Sequence, residues 1–330
     1  MAAKDLIETL ASKGRYSFTS AEAREALGVS PDASKLALNR LTRQGLIATP
    51  ARGFYVIIPP EYRSLGCLPA EQFIPDLMKV KGLNYYAGLL SAAQYYGAAH
   101  QRPQEFQIFV QKNRRPLHCG KVRVKFIARK NIDDVPVQKF NTSRGALKVS
   151  TPEATAIDLA GYPEHVGGLD QVATILSELA EQIDGSALAA AATAAPITWL
   201  QRLGYILELV DAGAAAGICD YVREHAREYT MLIPGSDNEA SIRNPKWKLV
   251  VNAELEPDIL SRAIILRSGG TKPHGLMMPR SNRISSLAAH SLISFPTRHC
   301  VKHLRSVAAL PCLSYICLPQ DTQKTSIWFK

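Results

Sequence analysis

The sequence has few of the residues from which metal sites and disulfide frameworks are built. Its 330 residues include six cysteines, and none of them belongs to a C-x-x-C pair. A structural zinc site needs four closely spaced ligands, usually cysteine and histidine. We therefore predict neither a metal site nor a bound cofactor.

Long apolar runs are also missing. The Ala-rich stretch around residues 189–195 is interrupted by Thr193 and ends at Pro196, so it is too short to cross a bilayer. The first ten residues carry charges of both signs instead of the apolar segment of a signal peptide. We expect a cytoplasmic protein that does not associate with a membrane.

The motifs of common enzyme classes do not occur in the chain. There is no P-loop, no G-x-S-x-G nucleophile turn and no H-E-x-x-H pair. The sequence therefore predicts that the protein is not an enzyme.

Positive charge is what the chain has in excess, and its distribution is uneven. The formal net charge of the whole chain is +10. By segment it is +3 in residues 1–58, +9 in 59–150, −10 in 151–256 and +8 in 257–330. A polyanion would be attracted by the first 150 residues and repelled by residues 151–256.

Two capped helices follow a short amphipathic helix near the N-terminus. Thr19 and Glu22 have the spacing of a capping box at the start of the first. Ser30 is placed as the N-cap of the second, which begins with a proline and covers Pro31–Gln44. Gly45 ends this second helix. The pair is typical of a helix-turn-helix.

A β-hairpin follows the two helices. Apolar residues at 47–48 and 54–58 flank the dipeptide Arg52-Gly53, which is typical of a hairpin tip. Two helices, a turn and a two-stranded wing within 58 residues predict a winged helix-turn-helix. In such domains the second helix of the motif enters the major groove of DNA.

One face of this second helix offers side chains that suit DNA. We expect Ser34, Leu38 and Leu41 to point inward, which leaves basic and amide side chains outside. Asparagine suits adenine, and arginine or lysine suits guanine or phosphate. The alternative interpretation is a solvated helix face without a ligand. The candidate DNA-binding residues are Ser30, Lys35, Asn39, Arg40, Arg43 and Arg52.

A second basic region lies within residues 106–132, which contain no acidic residue. In the segment 121–127, apolar and basic residues alternate with the period of a strand. We interpret its basic face as a second candidate nucleic-acid surface, and a solvated sheet face is the alternative. It comprises Lys112, Arg114, Arg115, Lys121, Arg123 and Lys125, with Arg129 and Lys130 beside it.

The middle of the chain predicts mainly helices. Residues 83–97 form an apolar pattern with aromatic pairs that indicates one helix. A further helix begins near Thr151 and carries Glu153 and Asp158, which a rotation of about 140° separates. We therefore interpret them as a helix cap and an exposed acid, not as a catalytic pair. Amphipathic helices follow at 169–183 and 196–210.

Several segments together resemble those of AbiEi antitoxins, over residues 1 to about 256. They are the hairpin region at 45–55, STPEATAIDLAG at 150–161, WLQRLGYIL at 199–207 and NPKWKLVVNAELEPD at 244–258. The resemblance implies an α+β protein, in which an N-terminal winged helix-turn-helix is followed by a larger mixed α/β antitoxin domain. We place these domains at residues 1–58 and 59–256.

The resemblance also implies a function. A family member would repress its own promoter, counteract an AbiEii-like nucleotidyltransferase toxin and belong to a type IV system used in phage defence. Its partners would be double-stranded promoter DNA and the toxin, with self-association on DNA as a further expectation. The family's DNA-contacting role transfers to the helix 31–44 and the tip at Arg52, and no antitoxin residue can be assigned.

Residues 257–330 differ from the rest of the chain in having two acidic residues and no sustained periodicity. Codons shifted by one base permit FRGGTALFKL opposite 305–315 and RYSEDIDLV opposite 320–329, which contain the GG-T and D-x-D motifs of nucleotidyltransferases. We interpret this segment as an out-of-frame or disordered tail that overlaps a toxin gene. The alternative is a basic arm that adds DNA affinity.

Two other functions stay open from the sequence. One is a stand-alone transcriptional regulator whose second domain senses a ligand. The other is a nucleic-acid-processing enzyme that uses the basic strand at 121–125, for which metal-dependent cleavage would be the sign.

Overall fold

The computed structural model describes residues 2–99, 103–235 and 241–255, which all belong to one compact unit. The predicted tail at 257–330 lies outside the described residues. Among the helices in the described ranges, none combines the length and the apolar character that spanning a membrane requires.

The N-terminal region has the predicted helices and hairpin in the predicted order, and in addition a strand between the first two helices that the sequence did not predict. Leu6, Phe18, Leu38, Leu41 and Ile57 lie in the small apolar core that joins its helices to a three-stranded antiparallel sheet of order β1-β3-β2. The elements are α1 (Ala3–Ser12), β1 (Ser17–Thr19), α2 (Ser20–Leu27), α3 (Pro31–Arg43), β2 (Ile47–Ala51) and β3 (Phe54–Ile57).

The caps explain where α2 and α3 begin and end. The Thr19 side chain accepts a hydrogen bond from the Glu22 N–H, and the Glu22 carboxylate accepts one from the Thr19 N–H, as the capping box predicts. Ser30 caps α3 by accepting from the Ala33 N–H at 3.3 Å. Gly45, with φ of +67°, lets the chain leave α3 through a left-handed turn.

A six-stranded mixed sheet forms the centre of the second region, in the order β6-β7-β5-β4-β9-β8. Tyr86 and Phe109 lie on one face, whereas Tyr85 and Ile108 lie on the other, and all four are buried. The central strands are therefore covered on both faces. The elements are α4 (Ala70–Lys81), β4 (Tyr85–Ala87), α5 (Leu89–Tyr95), β5 (Phe106–Val110), β6 (Leu117–Cys119), β7 (Val122–Ala128), β8 (Val137–Thr142) and β9 (Gly145–Ser150).

Two different layers cover the faces of this sheet. On one face, α4 packs together with Phe54 and Val56 of the N-terminal hairpin. The other face is covered by a helical layer and a small sheet of order β10-β12-β11. The elements of this layer are α6 (Pro152–Gly161), α7 (Leu169–Leu179), α8 (Gly185–Ala192), α9 (Ile197–Val210), α10 (Ala212–His225), β10 (Thr230–Met231), β11 (Ile242–Asn244) and β12 (Leu249–Val251).

The prediction of a single helix over 83–97 is wrong. Its first half forms β4, which pairs with β5 and β9 in the middle of the sheet, and only its second half forms α5. Gly88 lies between them, and a Cβ there would approach the Phe109 ring to 2.5 Å. Pairing with strands distant in sequence overrides the local apolar pattern.

Candidate nucleic-acid interface

Helix α3 has one buried side, which faces the core, and one outer side, which is exposed to solvent. Ser34, Leu38 and Leu41 are buried, as the sequence predicts. The buried side packs against α1, α2 and β2, and the outer side faces solvent. This arrangement leaves about 20 Å of helix accessible to a ligand.

The structure brings the predicted base-contacting residues together on that outer side. Lys35, Asn39, Arg40 and Arg43 are all exposed. Within the described residues none of the three cations forms an ion pair, so their charge is available to an anion. The Ser30 side chain is exposed and caps the N-terminus of α3. In a recognition helix, the N-terminal residues are the ones that contact base edges.

Arg52 is exposed at the tip of the β2–β3 hairpin. Gly53 follows with φ of +76°, the left-handed conformation that the tight turn requires. The hairpin residues Pro50 and Ala51 line a groove of about 440 Å³ together with Arg114 and Arg115. Two cations of the second basic region therefore lie beside the hairpin.

The structure does not bring the whole second basic region together. Lys121 and Arg123 line a different cavity, which Glu61 and Glu105 also line, so its charge is mixed. Lys125 is half-buried. Of the six candidates, Lys112, Arg114, Arg115, Lys121 and Arg123 are exposed.

Arg129 is not part of this surface, which corrects its placement beside the basic strand. It follows directly after β7, where the helical layer covers the end of the strand and leaves Arg129 only 6% exposed. Its guanidinium forms an ion pair with Asp158, donates to the Tyr86 hydroxyl at 3.0 Å and lies over the Trp199 ring.

Asp158 is likewise not the exposed acid that we expected, since its exposure is 0%. It accepts hydrogen bonds from Arg129 and from the Tyr86 hydroxyl, the latter at 2.9 Å. Complete burial raises the pKa of the Asp158 carboxyl to about 6, against the opposing effect of Arg129. Burial lowers the pKa of Arg129, but the charge of Asp158 and the contacts with Tyr86 and Tyr162 together outweigh it, and the net shift of the pKa is upward.

Glu153 is the second acid of α6 that the sequence analysis misplaced. It is 6% exposed and accepts a hydrogen bond from the Asp184 N–H at 3.1 Å, whereas the cap of α6 is Thr151. Glu153 and Asp158 therefore serve different partners, which agrees with the prediction that they are not a pair. The sequence offered one signal that was not used: both acids lie in a helix that is otherwise almost entirely apolar.

Metal-ligating and thiol side chains are the remaining candidates for chemistry. Residues 2–99, 103–235 and 241–255 contain no group of three or more histidine, cysteine, aspartate or glutamate side chains that could hold a metal ion. Cys67 and Cys119 are both buried as free thiols.

One solved structure shares the fold of most of this chain. The RV2827C protein from Mycobacterium tuberculosis matches with a TM-score of 0.56 and 20% identity, over 75% of this chain and 90% of that one. An antigenic nucleotidyltransferase-like protein from Paracoccidioides brasiliensis matches with a TM-score of only 0.31 and 9% identity, over 45% of this chain and 91% of that one. The second similarity is too low to indicate a common fold. No curated protein sequence matches the chain.

Two family models match separate parts of the chain. Residues 5–58 match the model described as transcriptional regulator, AbiEi antitoxin, and residues 86–209 match the AbiEi antitoxin C-terminal domain. Together the two matches cover more than half of the sequence, in the order that the resemblance of its motifs predicts. Both models describe regulatory domains. The chain therefore belongs to the AbiEi antitoxin family.

Proposed function

We propose that this protein represses the promoter of its own toxin–antitoxin pair by placing α3 in the major groove of DNA. The observation that carries the proposal is the outer face of α3, where Lys35, Asn39, Arg40 and Arg43 are exposed and the cations have no ion-pair partner among the described residues. This face lies within the segment that matches the transcriptional-regulator model.

The side chains of this face suit two kinds of DNA contact. Asn39 can make two hydrogen bonds to adenine, and an arginine can make two to guanine, which supplies sequence preference. Lys35 and the remaining arginine can neutralise phosphates, which positions the helix without regard to sequence. Ser30 would donate its hydroxyl proton to a phosphate oxygen, because its own oxygen lone pair is used by the helix cap.

Phosphate contacts outside α3 would come from the hairpin. We assign Arg52, at the tip of the hairpin, to phosphate or the adjacent minor groove. Arg114 and Arg115 lie along the groove next to the hairpin and would extend the contact toward flanking phosphates. We assign a weaker, non-specific electrostatic attraction of DNA to the other basic residues of this region, Lys112, Lys121, Arg123 and Lys125.

The second half of the proposal concerns the toxin. We propose that residues 1–58 make the sequence-specific contacts to DNA. Residues 59–256 supply only the flanking phosphate contacts described above, and they counteract a nucleotidyltransferase toxin of the AbiEii type within the cytoplasm, as part of phage defence. The net charge of −10 in residues 151–256 supports this division, because an acidic surface is unsuited to DNA. We assign residues 257–330 no part in either activity.

A salt titration of DNA binding tests the repressor half. Fluorescence anisotropy would compare the full chain on the duplex upstream of its own gene with the full chain on a scrambled duplex. We expect tighter binding to the upstream duplex at every salt concentration. Equal and steeply salt-dependent binding to both would leave only a non-specific basic surface.

Matched variants locate the surface. Asn39→Ala with Arg43→Ala should weaken binding to the upstream duplex by about 30-fold or more, since each of the two base contacts contributes about 1–3 kcal/mol. Asn141→Ala with Lys139→Ala removes the same kinds of group from exposed positions of β8 and should leave binding unchanged. Equal effects of the two double substitutions would mean that α3 does not lie in the major groove.

Co-expression tests the toxin half. Growth arrest by the downstream nucleotidyltransferase should be relieved by the full chain and also by the Asn39→Ala/Arg43→Ala variant, because the two activities lie in different regions. Loss of rescue in that variant would show that opposition to the toxin depends on DNA binding.

A further inference from the structure

The most exposed leucine among the described residues lies on the outer face of α3. Leu36 has 59% of its surface accessible to solvent. Leu36 is not among the candidate DNA-binding residues, which are all polar or charged. A leucine at this exposure contributes little to the apolar core, so the fold does not explain its presence.

The position of Leu36 on the helix is the second observation. At 100° per residue, the buried Ser34, Leu38 and Leu41 lie about 140° to 160° away from it. Leu36 is therefore at the crest of α3, directly opposite the buried stripe.

The same rotation places the polar candidates around it. Asn39, Arg40 and Arg43 lie within about 60° of Leu36. If these side chains reach base edges and phosphates, the leucine between them reaches the floor of the groove. It is also in the N-terminal half of α3, the part of a recognition helix that makes base contacts.

The chemistry of the major groove offers one apolar group. Only thymine presents a methyl group there, at C5, while the other bases present hydrogen-bond donors and acceptors. We infer that Leu36 is a specificity-determining residue that packs against thymine methyl groups in the operator. This inference rests on the proposed DNA-binding function and names a feature of the sequence that α3 prefers.

Replacement of thymine by uracil tests the inference without changing any base pair. The upstream duplex would be prepared by polymerase with deoxyuridine triphosphate in place of thymidine triphosphate. Burial of one methyl group is equivalent to about four-fold in affinity. We expect the wild-type full chain to bind the uracil duplex about three- to ten-fold more weakly than the thymine duplex.

Variants then assign the effect to Leu36. Leu36→Ala should bind the thymine duplex as weakly as wild type binds the uracil duplex, and should no longer distinguish the two. Leu36→Met keeps an apolar side chain of similar size and should retain most of the preference. Leu209→Ala is the matched control, because Leu209 is an exposed leucine on α9 with 49% accessibility.

Leu36→Ala is not expected to destabilise the folded protein, because Leu36 is exposed and alanine has a higher helix propensity than leucine. A circular dichroism melt of each variant verifies this. Sedimentation equilibrium on the same samples examines the other partner that an exposed leucine could have, a second copy of the chain.

The outcomes separate the inference from the proposed function. Specific binding that is unaffected by uracil, or a uracil effect that persists undiminished in Leu36→Ala, would overturn the inference alone. A change in oligomeric state in Leu36→Ala without any difference between the duplexes would also overturn it, in favour of a protein contact. Failure of wild type to prefer the upstream duplex over the scrambled one would overturn the proposed function and the inference with it.

Discussion

Arg43 and Arg129 show how two arginines that the sequence places beside candidate DNA surfaces reach opposite environments. Arg43 lies on the outer face of α3, exposed and without an ion-pair partner among the described residues. Arg129 lies under the helical layer with Asp158 as its counterion. A cation exposed without a partner is available to a ligand, whereas a buried one must be neutralised by the protein itself. In this protein, the candidate DNA surface differs from the core in whether a cation is exposed or is buried beside a counterion.

Removal of one member of the buried pair is expected to have the largest effect. Arg129→Ala or Asp158→Ala should reduce the free energy of unfolding by about 3–5 kcal/mol, because the remaining charge would be buried without a counterion. Urea denaturation of the purified full chain measures the change. The double replacement Arg129→Met with Asp158→Leu should recover most of the loss. A single substitution that costs less than about 1 kcal/mol would mean that the site is hydrated.

Close packing in the helical layer gives the next largest effect. At Gly204 of α9, a Cβ would lie 2.2 Å from the Trp247 ring, which is fully buried. We expect Gly204→Ala to cost about 1–3 kcal/mol of unfolding free energy. Gly185→Ala is the control, since the nearest atom to its Cβ would be at an ordinary 3.4 Å. Equal stability of the two variants would show that the tryptophan moves aside without cost.

The pH dependence of stability should report Asp158. Its pKa is about 6 in the folded protein, against an ordinary 3.8. Between these values the folded state binds more protons than the unfolded state, so this carboxyl makes the free energy of unfolding decrease as the pH rises through the window. Relative to Asp158→Asn, wild type should lose about 2 kcal/mol of unfolding free energy between about pH 4 and about pH 7. Parallel pH profiles of the two proteins would contradict the raised pKa.

The exposed arginine should show the smallest effect on stability. Arg43→Ala is expected to change the free energy of unfolding by less than about 0.5 kcal/mol, because no folded-state partner is lost. If Arg43 contacts a phosphate, the slope of log affinity against log salt should decrease by about one. If it contacts a base, the preference for the upstream duplex should decrease instead. A large loss of stability would show that Arg43, like Arg129, has a partner that stabilises the folded state.

Local sequence was sufficient for the N-terminal region, and the reason is physical. Caps such as Thr19 and Ser30 act within three residues, so their signals and their effects lie in the same segment. The buried stripe of α3 follows from helical periodicity alone. The predicted helix 31–44 agrees with the observed α3 to within one residue at its C-terminal end.

The second region was less predictable because its elements depend on distant partners. The segment 83–97 has the composition of an apolar helix, yet its first half becomes β4 through pairing with β5 and β9. Glu153 and Asp158 have the composition of solvated helix residues, yet each is buried against a partner from another element. Strand pairing and burial are set by residues far apart in the chain, which no window of sequence contains.

By itself, the sequence determined the capped helices, the hairpin after them, the buried stripe of α3 and the family to which the chain belongs. Only the tertiary structure decided which cations are available. Arg114 and Arg115 lie beside the hairpin because they directly precede β6, which contacts β2, while Arg129 is buried in the core. Charge is a property of the residue, but its availability depends on desolvation and on partners, and both are fixed only when distant segments pack together.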